Sequence, residues 1–311
     1  MSETLVSLVM PVWRPRRDWL LQAVRSALAQ RDCELELIVV DDGNPEPLDE
    51  LLADVREPAL RLVRAPHGGP SEARNAGIAA ARGSLIRFVD SDDAYEPGST
   101  ARLVRLIGDD DDVIAYGRTT FCDEQLRPVW TMSCDLEGWI AAEAVLGHFR
   151  VRIQSLLFPA DVVRAAGRWD PAFPICHDLE FIARALEHAR VRPDPAVATY
   201  YRKHGDSVTS GFERGDDDIR RVIEGYLERH PERRGTAFER RATASRHAVA
   251  ARARATRRMA RPALRRLIKS LALDPREAAL EAWAALPALR GHAAGAPGPR
   301  RQVKRRVRPL P

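Results

Sequence analysis

The sequence predicts an α/β fold: a mixed, mostly parallel sheet with helices on both faces, then a C-terminal helical region and a disordered basic tail. Three observations carry this. The first 93 residues alternate short apolar runs with amphipathic stretches, in the order β-α-β-α-β-α-β. Two of the apolar runs end abruptly in carboxylates, at Asp41-Asp42 and at Asp90-Ser91-Asp92-Asp93. Beyond residue 214 the chain becomes rich in Ala, Arg and Leu and poor in β-branched residues.

Each element has its own signal. Leu5–Met10 is an apolar run fit for a buried strand, and Pro11 is expected to stop it. Leu20, Val24, Ala27 and Leu28 recur at helical spacing within 17–30. Leu35–Val40 reads as the second strand, a helix follows from about Leu48, and Leu60–Val63 is the third strand. His67-Gly68-Gly69-Pro70 forms a loop, with Ser71 the expected N-cap of a helix over 72–81. Leu85–Val89 is the fourth strand. Pro97 opens a helix to Ile107, Val113–Tyr116 starts a hairpin reaching Trp130, and Gln154–Phe158 is a strand. Asp161 is the expected cap of a short helix ending near Gly167. The Pro- and aromatic-rich loop 168–178 leads into a helix over 177–189, and Val197–Tyr201 is the last strand. Helices are expected over 216–290, with Leu264, Leu267, Ile268 and Leu271 spaced i, i+3, i+4, i+7. From Gly291 the chain reads as a disordered basic tail. The expected division is 1–214, 215–290 and 291–311.

Composition sets bounds. A chain of 311 residues with 45% hydrophobic content can bury a large core. It holds no apolar run of the ~18 residues that a membrane helix needs. Met1–Thr4 leads straight into an apolar run without the basic start of a signal peptide, which predicts a cytoplasmic protein. Cys33, Cys122, Cys134 and Cys176 form no Cys-x-x-Cys pair and are expected to be reduced thiols. The net charge of +5 hides an asymmetry: residues 215–311 carry 24 Lys and Arg against 10 Asp and Glu, a net of +14, and residues 1–214 carry −9. This predicts two regions with different tasks, the basic one suited to the anionic inner face of a membrane. Nucleic acid is disfavoured as a partner, because the basic region lacks interleaved aromatics.

Right-handed crossovers bring the C-terminal ends of the parallel strands to one edge, where such sheets bind ligands. That edge collects Pro11-Val12-Trp13, Asp41-Asp42, the Gly68-Gly69 loop and Asp90-Ser91-Asp92. Carboxylates crowded at a strand end repel one another unless a cation lies between them, and hard oxygen ligands suit Mg²⁺ or Mn²⁺. The same residues also fit an acidic turn that caps the next helix. No Gly-x-Gly-x-x-Gly follows the first strand and no Gly-x-x-x-x-Gly-Lys is present, which disfavours dinucleotide and P-loop sites.

Six pieces, in order, resemble the family 2 inverting nucleotide-sugar glycosyltransferases of GT-A fold. They are Pro11-Val12-Trp13, Val39-Val40-Asp41-Asp42-Gly43, Ala73-Arg74-Asn75-Ala76-Gly77, Phe88-Val89-Asp90-Ser91-Asp92-Asp93, His177-Asp178, and Tyr201-Arg202-Lys203-His204-Gly205-Asp206-Ser207. The resemblance covers about residues 4–210. It implies transfer of a sugar from a nucleotide-diphosphate donor, most often a UDP-sugar, to a hydroxyl acceptor. It implies Pro11, Trp13, Asp42, Arg74, Asp90 and Ser91 as donor contacts, Asp92, Asp90 and His204 as ligands of Mg²⁺ or Mn²⁺, and Asp178 as the general base. Two positions depart from the family pattern: His177 stands where an acid usually precedes the base, and Trp13-Arg14 where Tyr-Asn is usual. Two rival readings are weaker. A nucleotidyltransferase would carry a Gly-rich loop after the first strand, and a catalytically degenerate binding module would not keep Asp90, Asp92 and Asp178.

Overall fold

The structure, a computed structural model, describes residues 4–205, 212–256 and 259–280. In chain order the first elements are β1 (Leu5–Val12), α1 (Arg17–Leu28), β2 (Glu34–Asp42), α2 (Leu48–Leu51), β3 (Leu60–Ala65), α3 (Gly69–Ala80) and β4 (Leu85–Phe88). Then come β5 (Ala94–Tyr95), α4 (Ser99–Ile107), β6 (Val113–Cys122), β7 (Pro128–Met132), α5 (Ala141–Val145), β8 (Leu156–Pro159) and α6 (Ala160–Ala166). The last are α7 (His177–Ala185), β9 (Arg190–Arg202), α8 (Phe212–Arg229), α9 (Ala237–Thr256) and α10 (Ala260–Leu273).

Among the described residues the strands form one sheet in the order β3-β2-β1-β4-β8-β6-β9-β5, with β7 paired to β6. The first four are parallel, β8 runs antiparallel to β4 and β6, and β9 is parallel to β6. Strand alternation sorts the core into two faces. Val6, Leu8, Met10, Leu37 and Val39 pack with Leu20, Val24 and Leu103. Val9, Ile38, Val40, Ile86 and Phe88 pack with Ala73, Val162 and Phe181. Gly77 lets α3 seat on the sheet, since a Cβ there would lie 2.3 Å from Val9 Cγ1. A third cluster joins Val145, Leu146 and Phe173 to Val222, Ile223, Tyr226 and Leu227 of α8. The C-terminal helices therefore pack onto the α/β layer.

Several expectations are corrected. Pro11 lies within β1, opposite Val40. Pairing with β4 ends at Val9, so the amide that proline lacks falls where the ladder has stopped. Ser71 is not the cap of α3: the helix starts at Gly69, and the Gly68 and Gly69 N–H groups donate to the Asp42 carboxylate instead. Asp161 lies in the first turn of α6, after Pro159. The last strand begins at Arg190, seven residues before Val197, and runs through Pro193 and Pro195 with irregular register against β6. The Leu264 stripe of α10 faces outward. The basic tail from Gly291 lies outside the described residues. All four cysteines are free, and no helix among the described residues is long and apolar enough to cross a membrane.

Candidate active site

A cavity of about 700 Å³ opens at the carboxyl edge of the parallel strands. Pro11, Trp13, Asp42, Arg74, Asp90, Ser91, Asp92 and Asp178 all line it. His204 stands behind these, its Nε2 2.8 Å from Asp92 Oδ2.

At one end, the buried Asp42 carboxylate meets His67 Nδ1 at 2.9 Å and accepts the Gly68 and Gly69 amides at 2.8 and 3.1 Å. An ionised carboxylate has about four acceptor sites, so capacity for one more donor remains. The same contacts place negative charge at the N-terminus of α3, where the helix dipole favours it. His67 stacks on Trp13 with ring centroids 3.8 Å apart. Asn44 ties the two loops together, accepting from the Arg14 amide at 2.6 Å and donating to the Val12 carbonyl at 2.8 Å.

In the middle, oxygens of Asp90, Asp92 and Asp93 lie within 4.8 Å of one another. Gln154 Nε2 donates to both Asp90 and Asp93, and the Arg202 amide donates to Asp93. Burial pushes the Asp90 and Asp93 carboxyls above the usual carboxylate range. Neighbouring carboxylates push both the same way, and Arg74 opposes the rise at Asp90. Crowded, partly desolvated oxygen donors of this kind fit a hard divalent cation. Asp93 is spent on Gln154 and Arg202, which leaves Asp90 and Asp92 facing the cavity.

At the far end, Arg74 is buried, with Nη2 2.7 Å from Asp90 and Nη1 3.7 Å from Asp178. Its guanidinium lies over the Trp169 ring at 4.6 Å. Asp178 sits in the first turn of α7 and does not cap that helix. Burial acts to raise its carboxyl, but His177, 3.2 Å away, and then Arg74 hold it below the usual range. Asn75 fixes the loop before α7 through paired bonds to the Trp169 backbone, at 2.8 and 3.0 Å. Helix α3 thereby holds the loop that leads to Asp178, through a contact that spans 94 residues of sequence from Asn75 to Trp169.

Sequence reasoning missed His67, Gln154, Arg152 and Trp169. His67 had a usable signal, its place before Gly68-Gly69 at a strand end. Gln154 and Arg152 had none, because they come from a 3₁₀ turn and its approach outside any motif.

A sheet that gathers a stacking ring, a strand-end carboxylate, an acidic cluster and a further carboxylate in one cavity has the make-up of a glycosyltransferase of GT-A fold. Residues 7–158 match the Glycosyl transferase family 2 profile, and the chain carries a family 2 glycosyltransferase domain. The succinoglycan biosynthesis protein ExoO of Rhizobium meliloti is 41% identical over 88 residues, 28% of this chain and 25% of that protein. The uncharacterized glycosyltransferase EpsJ of Bacillus subtilis is 37% identical over 101 residues, 32% of this chain and 29% of that protein. The chain thus spans only about a quarter of the length of these curated relatives. The crystal structure of S. aureus TarS 1-349 in complex with UDP has a TM-score of 0.54 at 18% identity, covering 71% of this chain and 65% of that one. That likeness is one of fold.

Proposed function

We propose that this protein moves a sugar from a nucleotide-diphosphate sugar, a UDP-sugar first among them, to a hydroxyl acceptor with inversion at the anomeric carbon. One observation carries the reading: Asp42 with Trp13, the Asp90–Asp92 pair, and Asp178 line a single cavity. Trp13 and His67 would hold the base, and the free acceptor site of Asp42 would take an N–H from its edge. Asp92 with Asp90 would hold Mg²⁺ or Mn²⁺, which when bound supplies Lewis-acid neutralisation of the leaving diphosphate. His204 would orient Asp92 and adjoin that ion. Arg74 and Arg152, both in the cavity lining, would add positive charge beside the diphosphate. Asp178 takes the acceptor proton as the hydroxyl oxygen attacks, and the bond to the diphosphate breaks on the opposite face. One base suffices for direct inversion.

Residues 1–214 would form the catalytic unit and 215–290 a helical appendage, of which Val249, Ala250 and Ala253 wall the cavity. The likeness to ExoO supports polysaccharide biosynthesis as the setting. The basic C-terminal region supports peripheral contact with the anionic inner face of a membrane, reached from the cytoplasm.

The test is thermal stability against a panel of nucleoside diphosphates with and without Mn²⁺. A ligand that binds only the folded state raises the midpoint. A metal-dependent rise with UDP that disappears in Asp92→Ala is expected. No rise with any nucleotide would sink the reading and favour a degenerate domain.

A further inference from the structure

Helix α10 carries its apolar stripe on the wrong side for a core. Leu264, Ile268 and Leu271 are 57%, 56% and 46% exposed. The face turned to α9 is instead made of small and polar residues. Ala263 and Ser270 are buried, Ser270 Oγ donates to the Ala244 carbonyl at 2.8 Å, and Arg266 reaches His247 and Asp216. Leu264, Ile268 and Leu271 fall on one arc of α10, since i, i+4 and i+7 share a helix face.

One flank of the stripe is cationic. Arg261, Arg265 and Lys269 are exposed and follow one flank of the stripe at helical spacing. From Arg240 to Leu273 the chain has 11 Arg and Lys and no Asp or Glu, which disfavours a cationic partner for α10; Asp274 and Glu277 follow only after the helix ends. A helix with leucines on one arc and cations beside them has the make-up of one that lies in a membrane interface. The helix is not long and apolar enough to span a bilayer.

We infer that α10 docks in the surface of an anionic phospholipid bilayer. Leu264, Ile268 and Leu271 enter the acyl boundary, and Arg261, Arg265 and Lys269 meet the lipid phosphates. This rests on the membrane reading above and assigns it to one face. The docked helix is coupled to the cavity. Asp216, a cavity residue, pairs with Arg266 of α10 and Arg246 of α9.

The experiment is flotation of the full chain with vesicles of phosphatidylcholine, alone or mixed with phosphatidylglycerol, at low and high salt. The wild type is expected to float with the mixed vesicles at low salt. Leu264→Ser/Ile268→Ser/Leu271→Ser should bind them on the order of a hundredfold more weakly. Arg261→Gln/Arg265→Gln/Lys269→Gln should lose the preference for phosphatidylglycerol and the salt dependence. A UDP-induced midpoint shift, measured without vesicles, reports that each variant is folded. It also separates the two ideas, since loss of the UDP shift in the wild type with flotation intact would remove the donor reading alone. Flotation of the apolar triple variant equal to wild type would overturn the assignment, as would a wild type that never floats. So would light scattering that shows a wild-type dimer, no flotation, and a monomeric triple variant, because a second copy then covers the face.

Discussion

Helices α1 and α10 carry the same apolar spacing and place it oppositely. In α1, Leu20, Val24 and Ala27 turn onto the sheet and are fully buried. In α10, Leu264, Ile268 and Leu271 turn away from the protein, and Ala263 and Ser270 make the close contact with α9. A period of 3.6 residues says that a helix has two faces. It does not say which face meets the protein. The packing decides it: α1 lies against the sheet through its apolar face, and α10 lies against α9 through Ala263 and Ser270.

The comparison can be broken or sharpened by substitution. The largest expected effect belongs to the α/β layer. Asp178→Asn should lower kcat about 10³-fold and leave the UDP-induced thermal shift intact; near-normal turnover in a sugar-transfer assay would remove Asp178 as the base. Next, Leu20→Ala should cost about 3 kcal/mol in denaturant unfolding, because the cavity it leaves lies inside a closed core.

Glu36 should follow. Burial alone would raise its carboxyl, but Ser7, Arg61 and Arg82 donate to it and hold it down to about 2, from an ordinary 4.5. A carboxyl with a depressed folded pKa stabilises fully above its ordinary value and ceases to do so as pH falls through the folded one. Glu36→Gln should therefore cost about 2 kcal/mol at neutral pH and flatten the decline in melting temperature between pH 4.5 and 2. An unchanged acid profile would count against this account. His67→Ala should weaken UDP binding by about 1 kcal/mol in calorimetry, since Trp13 loses its stacking partner. The smallest effect closes the comparison: Leu264→Ala should change unfolding stability by less than about 0.5 kcal/mol. A loss near that of Leu20→Ala would mean that the α10 stripe is covered in solution.

Much of the site was legible because its residues stand at strand ends, where apolar runs meet acids. Asp42, Asp90 and Asp92 carried that mark; Asp178, at the start of a helix after a loop, was singled out only by the family resemblance. Asp42 does serve a helix, since its carboxylate binds the α3 amides, and by acceptor count one site is left for the proposed base contact. Arg87 shows the limit. It lies in the middle of an apolar strand, fully buried, and no local pattern tells what satisfies it. It bonds to Ser99, Thr100 and the Gln154 and Ala198 carbonyls, and its guanidinium lies 3.7 Å from the Tyr95 ring centroid. Burial lowers its pKa to about 10. The start of β9 was hidden for a simpler reason: Pro193 and Pro195 argue against a strand locally, and pairing with β6 overrides them.

The sequence by itself determined the parallel core, the edge at which the cavity opens and the acids that stand there. These follow from alternation and periodicity, which act over neighbouring residues. Only the tertiary structure decided that Asn75 holds the loop before Asp178, that His67 lies on Trp13, that Gln154 bridges Asp90 and Asp93, and that α10 faces outward. Each of these depends on which surfaces meet across distant segments, and no local propensity encodes that choice.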